Sequence, residues 1–282
     1  MTDKVVHMNY PELMKTALTA TAVVTATGLL ALRGRAGQPG LADLKGWGYA
    51  HRGLHKEGIP ENSMAAFRAA LEKGYGIELD IHLMKDGNLA VIHDASLKRT
   101  AGAEVQIEDL TAEDLENYRL QGTEEKIPLF KDVMALFEGK APMIVELKPG
   151  NNNHAALAEA ACEIMKDYKG VFCMESFDPR CVAWLKKNRP EIIRGQLTEN
   201  FVANDKKLNP AIRFALTHNL LNAATVPDFV AYKFADRKSS ITTALCRSVW
   251  GIQGVTWTIQ TQEDYDIAVQ EGWLPIFEGF EP

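Results

Sequence analysis

Apolar positions along the chain fall into two alternating kinds of segment. Short β-branched or aromatic runs read as strands, and stretches with apolar residues three and four apart read as helices. The strand-like runs are Tyr49–Arg52, Gly76–Leu83, Met143–Lys148, Val171–Ser176, Ile192–Leu197, Phe229–Tyr232, Gly254–Ile259 and Pro275–Phe277. Between them, Ser63–Lys73, His154–Asp167, Pro179–Asn188 and Gln262–Gln270 have helical spacing. Asn62 precedes the first helix and Gly74 follows it, residue types that cap and stop helices. Eight strands alternating with helices predict an α/β fold, a closed (β/α)8 barrel over residues 46–282.

One further strand lies outside this count. Gly76–Met84 and Leu89–Asp94 flank Lys85-Asp86-Gly87-Asn88, and Asp-Gly between alternating apolar runs signals a hairpin. Pairing Met84 with Leu89 sets His82 opposite Val91 and Asp80 opposite His93. Opposed residues share a sheet face, and side chains alternate with period two. Glu78, Asp80 and His93 are therefore expected on one face.

The first 40 residues read as a separate N-terminal segment. Thr16–Leu32 carries no charge and is about as short as a membrane span can be. Lys15 precedes it, Arg33 and Arg35 follow, and Gly37–Gly40 reads as a short linker. Arginines where a cleavage site would stand argue against a removed signal. The expectation is an uncleaved anchor over residues 16–32, with the barrel on the cytoplasmic side. The alternative is a soluble cytoplasmic protein whose N-terminal helix packs on the barrel.

Composition narrows the function. The 282 residues are 46% hydrophobic and 24% charged, which excludes a disordered chain and a polytopic membrane protein. A net charge of −6 speaks against a nucleic-acid partner. Cys162, Cys173, Cys181 and Cys246 form no CxxC pair, so they read as reduced core thiols rather than zinc ligands or a disulfide framework. No feature of the chain fixes an oligomeric state.

The candidate chemistry sits at the C-terminal ends of the strands, where barrels of this type carry their active sites. Glu78, Asp80 and Glu146 stand inside apolar runs (GIELDI, MIVEL), where an ionised carboxylate needs a partner. Three converging carboxylates call for a cation, and all-oxygen ligation favours Mg2+ or Ca2+. His51, Arg52, His93 and Lys148 add the opposite requirement. Arg and Lys beside a metal make an anion site suited to phosphate. Two histidines supply a general acid and a general base near neutral pH. The combination describes phosphodiester hydrolysis.

The series AHRG (Ala50–Gly53), PENS (Pro60–Ser63), IELDI (Ile77–Ile81), KDG (Lys85–Gly87), IHD (Ile92–Asp94), VELK (Val145–Lys148), ESF (Glu175–Phe177) and TWT (Thr256–Thr258) resembles the glycerophosphodiester phosphodiesterase family. The resemblance covers nearly all of Gly48–Thr261. It implies a barrel of the phospholipase-C-like kind that hydrolyses glycerophosphodiesters to sn-glycerol 3-phosphate and an alcohol with Mg2+ or Ca2+. By resemblance, His51 and His93 are the catalytic pair. Glu78, Asp80 and Glu146 hold the metal, and Arg52 and Lys148 hold the phosphate. Trp257 packs on the glycerol carbons, while Glu61 and Asn62 support the His51–Arg52 loop.

The chain departs from the family pattern at its end, where PIFEG (Pro275–Gly279) puts Glu278 near the usual acidic position with an open role. Ala95–Lys140 reads as an arm with helices rather than an extra domain. Two other function classes remain. One is a lyase or lysophospholipase-D-like activity on lysophospholipid or sphingolipid headgroups. The other is a non-catalytic phosphodiester binder, which would not need two histidines. The long connection Thr198–Asp228 carries Phe214, Leu216, Leu220 and Leu221 beside Lys206, Lys207 and Arg213. It is expected either to cover the barrel or to meet bilayer lipid as a second partner, close to the anchor.

Overall fold

The alternation of the strands sorts their side chains onto two surfaces. In the computed structural model, which describes residues 28–282, the outward positions meet the helices. Ile77, Leu79 and Ile81 cluster with Met143, Val145, Leu147 and the helix residues Phe67, Leu157 and Leu185. The alternate positions Tyr49, Ile144, Cys173, Phe229, Val255 and Leu274 form a second cluster with Leu41 and Leu44. That second cluster fills the inside of a closed barrel.

The strands are β1 (Tyr49–His51), β2 (Gly76–Leu83), β3 (Leu89–Val91), β4 (Met143–Leu147), β5 (Phe172–Ser176), β6 (Arg194–Thr198), β7 (Phe229–Lys233), β8 (Gln253–Ile259) and β9 (Trp273–Phe277). All but β3 are parallel, β1 pairs with both β2 and β9, and the ring closes on eight strands. All eight predicted barrel strands form, with ends shifted by at most a few residues.

The hairpin forms with a different register. β2 and β3 pair antiparallel as Ile81 with Val91, His82 with Ala90 and Leu83 with Leu89. The cause is the turn. The Gly87 N–H donates to the Met84 carbonyl at 3.1 Å, and the Met84 N–H donates to the Asn88 carbonyl at 2.9 Å. Gly87 has φ 86°, so Lys85–Gly87 is a three-residue loop with a left-handed glycine. A four-residue loop was the premise for placing Met84 opposite Leu89. The loop is one residue shorter, and a one-residue slip exchanges faces. Asp80 stands opposite Ile92, whose N–H donates to the Asp80 carbonyl at 3.1 Å. His93 lies beyond the end of β3 and reaches the site from irregular chain.

The helix after β1 spans Met64–Glu72 and is capped by Ser63, whose hydroxyl accepts from the Ala66 N–H. Asn62 is thereby freed from the capping role expected of it. The helices Pro179–Asn188 and Gln262–Gln270 form as predicted, and the helix from His154 ends at Met165. The arm after β3 has its own small core of Met84, Ile92, Leu97, Ile107, Leu110, Leu115 and Ile127. All four cysteines are free and buried.

Most of Thr16–Leu32 lies outside the described residues, and with it the anchor reading. Among the described residues no helix is long and apolar enough to cross a membrane. Where the chain becomes described, it runs along the end of the barrel at which the strands begin. The Trp250 indole donates to the Leu29 carbonyl at 2.9 Å, and the Arg35 N–H donates to the Pro227 carbonyl at 2.8 Å. The Arg35 guanidinium grips Asp228, just before β7, at 2.6 and 2.9 Å. Leu41 and Leu44 then close that end of the barrel core. The chain therefore arrives opposite the C-terminal ends of the strands. The connection after β6 is mixed: Leu216 is buried, Leu220 and Leu221 are half-buried, and Phe214 is exposed with Ile212 and Val202.

Candidate active site

Two residues further along the inward rows, the filling changes from apolar to polar. Tyr49 is followed by His51, Ile144 by Glu146, Cys173 by Glu175 and Val255 by Trp257, while Leu274 and Ile276 lead to Glu278. One alternating pattern thus makes both the core and the site.

β1 ends at His51, and the turn after it is held in an uncommon shape. Arg52 has φ 54° and Gly53 has φ 80°. A left-handed arginine costs about 1 kcal/mol or more and persists only where its surroundings fix it. Here its N–H donates to Glu78 Oε2 at 3.2 Å. A Cβ on Gly53 would stand 2.8 Å from the Ala66 Cβ, so only glycine lets this turn lie on the helix Met64–Glu72. The result fixes the His51 ring. Its Nδ1 donates to Glu278 Oε2 at 2.8 Å, and its Nε2 points toward Glu78, 3.8 Å away. The bond to His51 holds the Glu278 carboxyl below its usual range despite partial burial. Glu278, whose role the sequence left open, is thus the partner of His51.

Glu78, Asp80 and Glu146 offer oxygens that all lie within 4.8 Å of one another. All three are buried. Burial, reinforced by Asp80 and Glu146, pushes Glu78 well above the ordinary carboxylate range. Burial also raises Glu146, to about 7, with Lys148 opposing and Asp80 adding. Asp80 behaves differently. Burial would raise it, but Lys148, His93 and Arg52 outweigh that and hold it well below normal, helped by the Asn62 amide at 2.9 Å. Lys148 Nζ sits 3.2 Å from Asp80 and 3.0 Å from Glu146. Burial alone would lower the Lys148 ammonium, but those carboxylates raise it. The set therefore carries more carboxylate than its own cations neutralise. All-oxygen donors with that surplus fit a hard divalent ion.

His93 repeats the arrangement of His51. Its Nδ1 donates to Asp94 Oδ1 at 2.7 Å. Its backbone carbonyl accepts from His82 Nε2 at 3.1 Å, which gives buried His82 a positioning role. Burial lowers the His93 imidazole, with Asp80 opposing, and Lys148 and Arg52 lower it further. Asp94 is tied back by Arg99, which also spans both oxygens of Glu61 at 2.8 Å. Glu61 in turn accepts from Arg52 Nη1 at 2.9 Å. Burial would raise Glu61, but Arg99 and Arg52 hold it at about 2. One chain of charge-assisted bonds thus runs from His93 through Asp94, Arg99 and Glu61 to Arg52.

A cavity of about 110 Å³ joins His51, Arg52, Glu78, His93, Glu146 and Trp257. Asp80 and Lys148 touch its walls through the contacts above, so all eight predicted site residues come together. Trp257 packs edge-on to Phe177 at 5.5 Å between centroids, and its buried Nε1 has no partner among the described residues. Sequence reading missed two residues here. Glu175 lines the cavity, with one oxygen unpartnered. Burial and then Glu146 raise it well above the ordinary range. Its signal was the ESF motif and its place two residues after Cys173. Arg99 had no signal, because it lies on a single turn of the arm.

Residues 51–277 match the sequence model of the glycerophosphoryl diester phosphodiesterase family. A glycerophosphodiester phosphodiesterase of Caldanaerobacter subterraneus is 34% identical over 158 residues, covering 52% of this chain and 65% of that protein. Lysophospholipase D GDPD1 of Rattus norvegicus is 36% identical over 133 residues, covering 43% of this chain and 41% of that one. The matched regions thus span less than two thirds of either relative. Among solved structures, an Oleispira antarctica phosphodiesterase in complex with the product sn-glycerol-3-phosphate superposes with a TM-score of 0.69 at 19% identity, over 86% of this chain and 95% of that one. A glycerophosphodiester phosphodiesterase from Thermotoga maritima gives 0.63 at 25% identity, over 82% and 92%.

Proposed function

The chain belongs to the glycerophosphoryl diester phosphodiesterase family, and on that premise we propose that it hydrolyses glycerophosphodiesters to sn-glycerol 3-phosphate and an alcohol. The observation that carries this reading is the pair of histidine–carboxylate dyads. Each histidine spends Nδ1 on a carboxylate, Glu278 or Asp94, and keeps Nε2 for the cavity they share. A binding protein has no use for two oriented, titratable rings.

Glu78, Asp80 and Glu146 would hold Mg2+ or Ca2+, which when bound supplies Lewis-acid neutralisation of a phosphodiester oxygen. The other steps belong to the chain's own residues. Arg52 and Lys148 hold the remaining phosphate charge. One histidine takes a proton from the nucleophile at Nε2, and the other returns one to the departing alcohol oxygen. Glu278 and Asp94 keep each ring in the tautomer that leaves Nε2 free and stabilise it when charged, as the aspartate of a serine-protease triad does. Trp257 covers the glycerol side and offers its indole N–H to a hydroxyl.

The test is product analysis on glycerophosphocholine, glycerophosphoethanolamine and lysophosphatidylcholine with and without EDTA. Release of sn-glycerol 3-phosphate that stops with chelator and returns with Mg2+ or Ca2+ supports the reading. A groove of about 830 Å³ lined by Leu54, Gln121 and Phe280 borders Glu278, which favours a second reading with a larger, lysolipid alcohol. Free choline with lysophosphatidate, rather than glycerol phosphate, would mark it. The anchor reading for residues 16–32 stays a proposal.

A further inference from the structure

Glu278 faces two histidines. Its Oε2 accepts from His51, and its Oε1 lies 3.6 Å from His55 Nε2. At that distance the second pair is no hydrogen bond. The His55 Nε2 is buried and has no partner among the described residues. One ligand atom from each of His51, His55 and Glu278 fits within 4.8 Å of the others. Two ligands of a tetrahedral zinc ion, each about 2.0–2.1 Å from the metal, stand roughly 3.3 Å apart. Taken to the nearer Glu278 oxygen in each case, Oε2 for His51 and Oε1 for His55, the separations of 2.8 and 3.6 Å lie on either side of that value.

We propose that His51, His55 and Glu278 form a second cation site, of the zinc type and inhibitory, distinct from the carboxylate centre. Its donors are two imidazoles and a carboxylate, a set that suits zinc, whereas the all-oxygen centre suits Mg2+ or Ca2+. The two sites differ in access. Glu78, Asp80 and Glu146 are buried, while His55 and Glu278 line the groove beside the mouth, so an ion arrives without passing the substrate cavity. On binding, the ion takes the lone pair at His51 Nδ1, and the single imidazole proton that Nδ1 had given to the bond with Glu278 is relayed through water to Nε2. With that proton on Nε2 the ring stays neutral, and Nε2 can no longer accept one. This inhibitory consequence rests on the catalytic role proposed for His51, but ion binding does not.

The experiment uses the full chain saturated with Mg2+, titrated with Zn2+ or Co2+. The wild type should take up one transition-metal ion, with a ligand-field absorption for Co2+ typical of low coordination number. Glycerophosphocholine hydrolysis should fall in parallel. His55→Ala and His55→Asn should keep basal turnover and need at least tenfold more zinc for half-inhibition. Equal zinc sensitivity and cobalt spectra in wild type and both variants would overturn the site. Binding that depends on His55 without inhibition would overturn the inhibitory role. If the protein shows no hydrolase activity at all, the spectrum and stoichiometry still decide the binding claim.

Discussion

Replacing Glu278 with glutamine changes one charge in the site and almost no volume. The His51–Glu278 bond of 2.8 Å links a ring that must carry positive charge during turnover to a half-buried carboxylate. A hydrogen bond to a charged group contributes about 1.5–3 kcal/mol and a neutral one about 0.5–1.5, so Glu278→Gln should forfeit roughly 1–2 kcal/mol of transition-state stabilisation. That corresponds to about a 5- to 30-fold loss in kcat. Glu278→Ala also frees the ring to turn and to change tautomer, and the loss should reach about 10²-fold or more. The assay is steady-state release of sn-glycerol 3-phosphate from glycerophosphocholine, coupled to its dehydrogenase, with Tm measured alongside. Tm should move little, because the bond is partly exposed. Turnover of Glu278→Ala within twofold of wild type would refute the dyad.

Other consequences follow from the same geometry. The raised carboxyls Glu146, Glu78 and Glu175 stabilise the metal-free fold below the ordinary carboxylate pKa, and that contribution is lost as pH rises through about 7 for Glu146. With EDTA, Tm should therefore fall by roughly 5 °C between pH 5 and 8, and saturating Mg2+ should flatten the decline; an equal slope with and without the ion would contradict the site. Asp80 and Glu61 are depressed, so their contribution is lost only in acid, as pH falls below the ordinary carboxylate range. Glu146→Gln removes a direct ligand and should weaken metal affinity by more than the roughly 10- to 100-fold lost with an outer-shell partner, and turnover with it, read by calorimetry and kinetics. Deleting residues 1–27 should leave hydrolysis of glycerophosphocholine intact. Arg35→Ala strips a partner from fully buried Asp228 and should cost about 3 kcal/mol in urea unfolding.

The barrel was legible because its two periods are clean. Ile77, Leu79 and Ile81 alternate with Glu78 and Asp80, so a strand with a core face and a chemical face can be read directly. Glu78, Asp80 and Glu146 announced themselves as charges in apolar runs, and His51 as a polar residue at a strand end. Register was harder. Lys85–Asn88 allows a three- or four-residue loop, and only the left-handed Gly87 decides between them. His93 was found for the right motif but by the wrong pairing. Helix capping failed at Asn62 for a similar reason. Ser63 and Asn62 are equally good caps in isolation, and the choice is made by Asp80, eighteen residues away, which accepts from the Asn62 amide. Arg99 and the Glu278 bond depend on chain segments 38 and 227 residues apart, and no local pattern encodes such meetings.

In the proposed reaction His51 and His93 act as an acid–base pair beside a cation held by Glu78, Asp80 and Glu146. Phosphorus NMR of glycerophosphocholine turnover tests it most directly, with wild type, His51→Ala and His93→Ala in Mg2+, in Ca2+ and in EDTA. The wild type should release sn-glycerol 3-phosphate with one of the two ions, and none with chelator. Each histidine variant should keep the wild-type Tm and lose about 10²–10⁴-fold in rate. Undiminished product from metal-stripped protein, or from a folded His93→Ala variant, would contradict it.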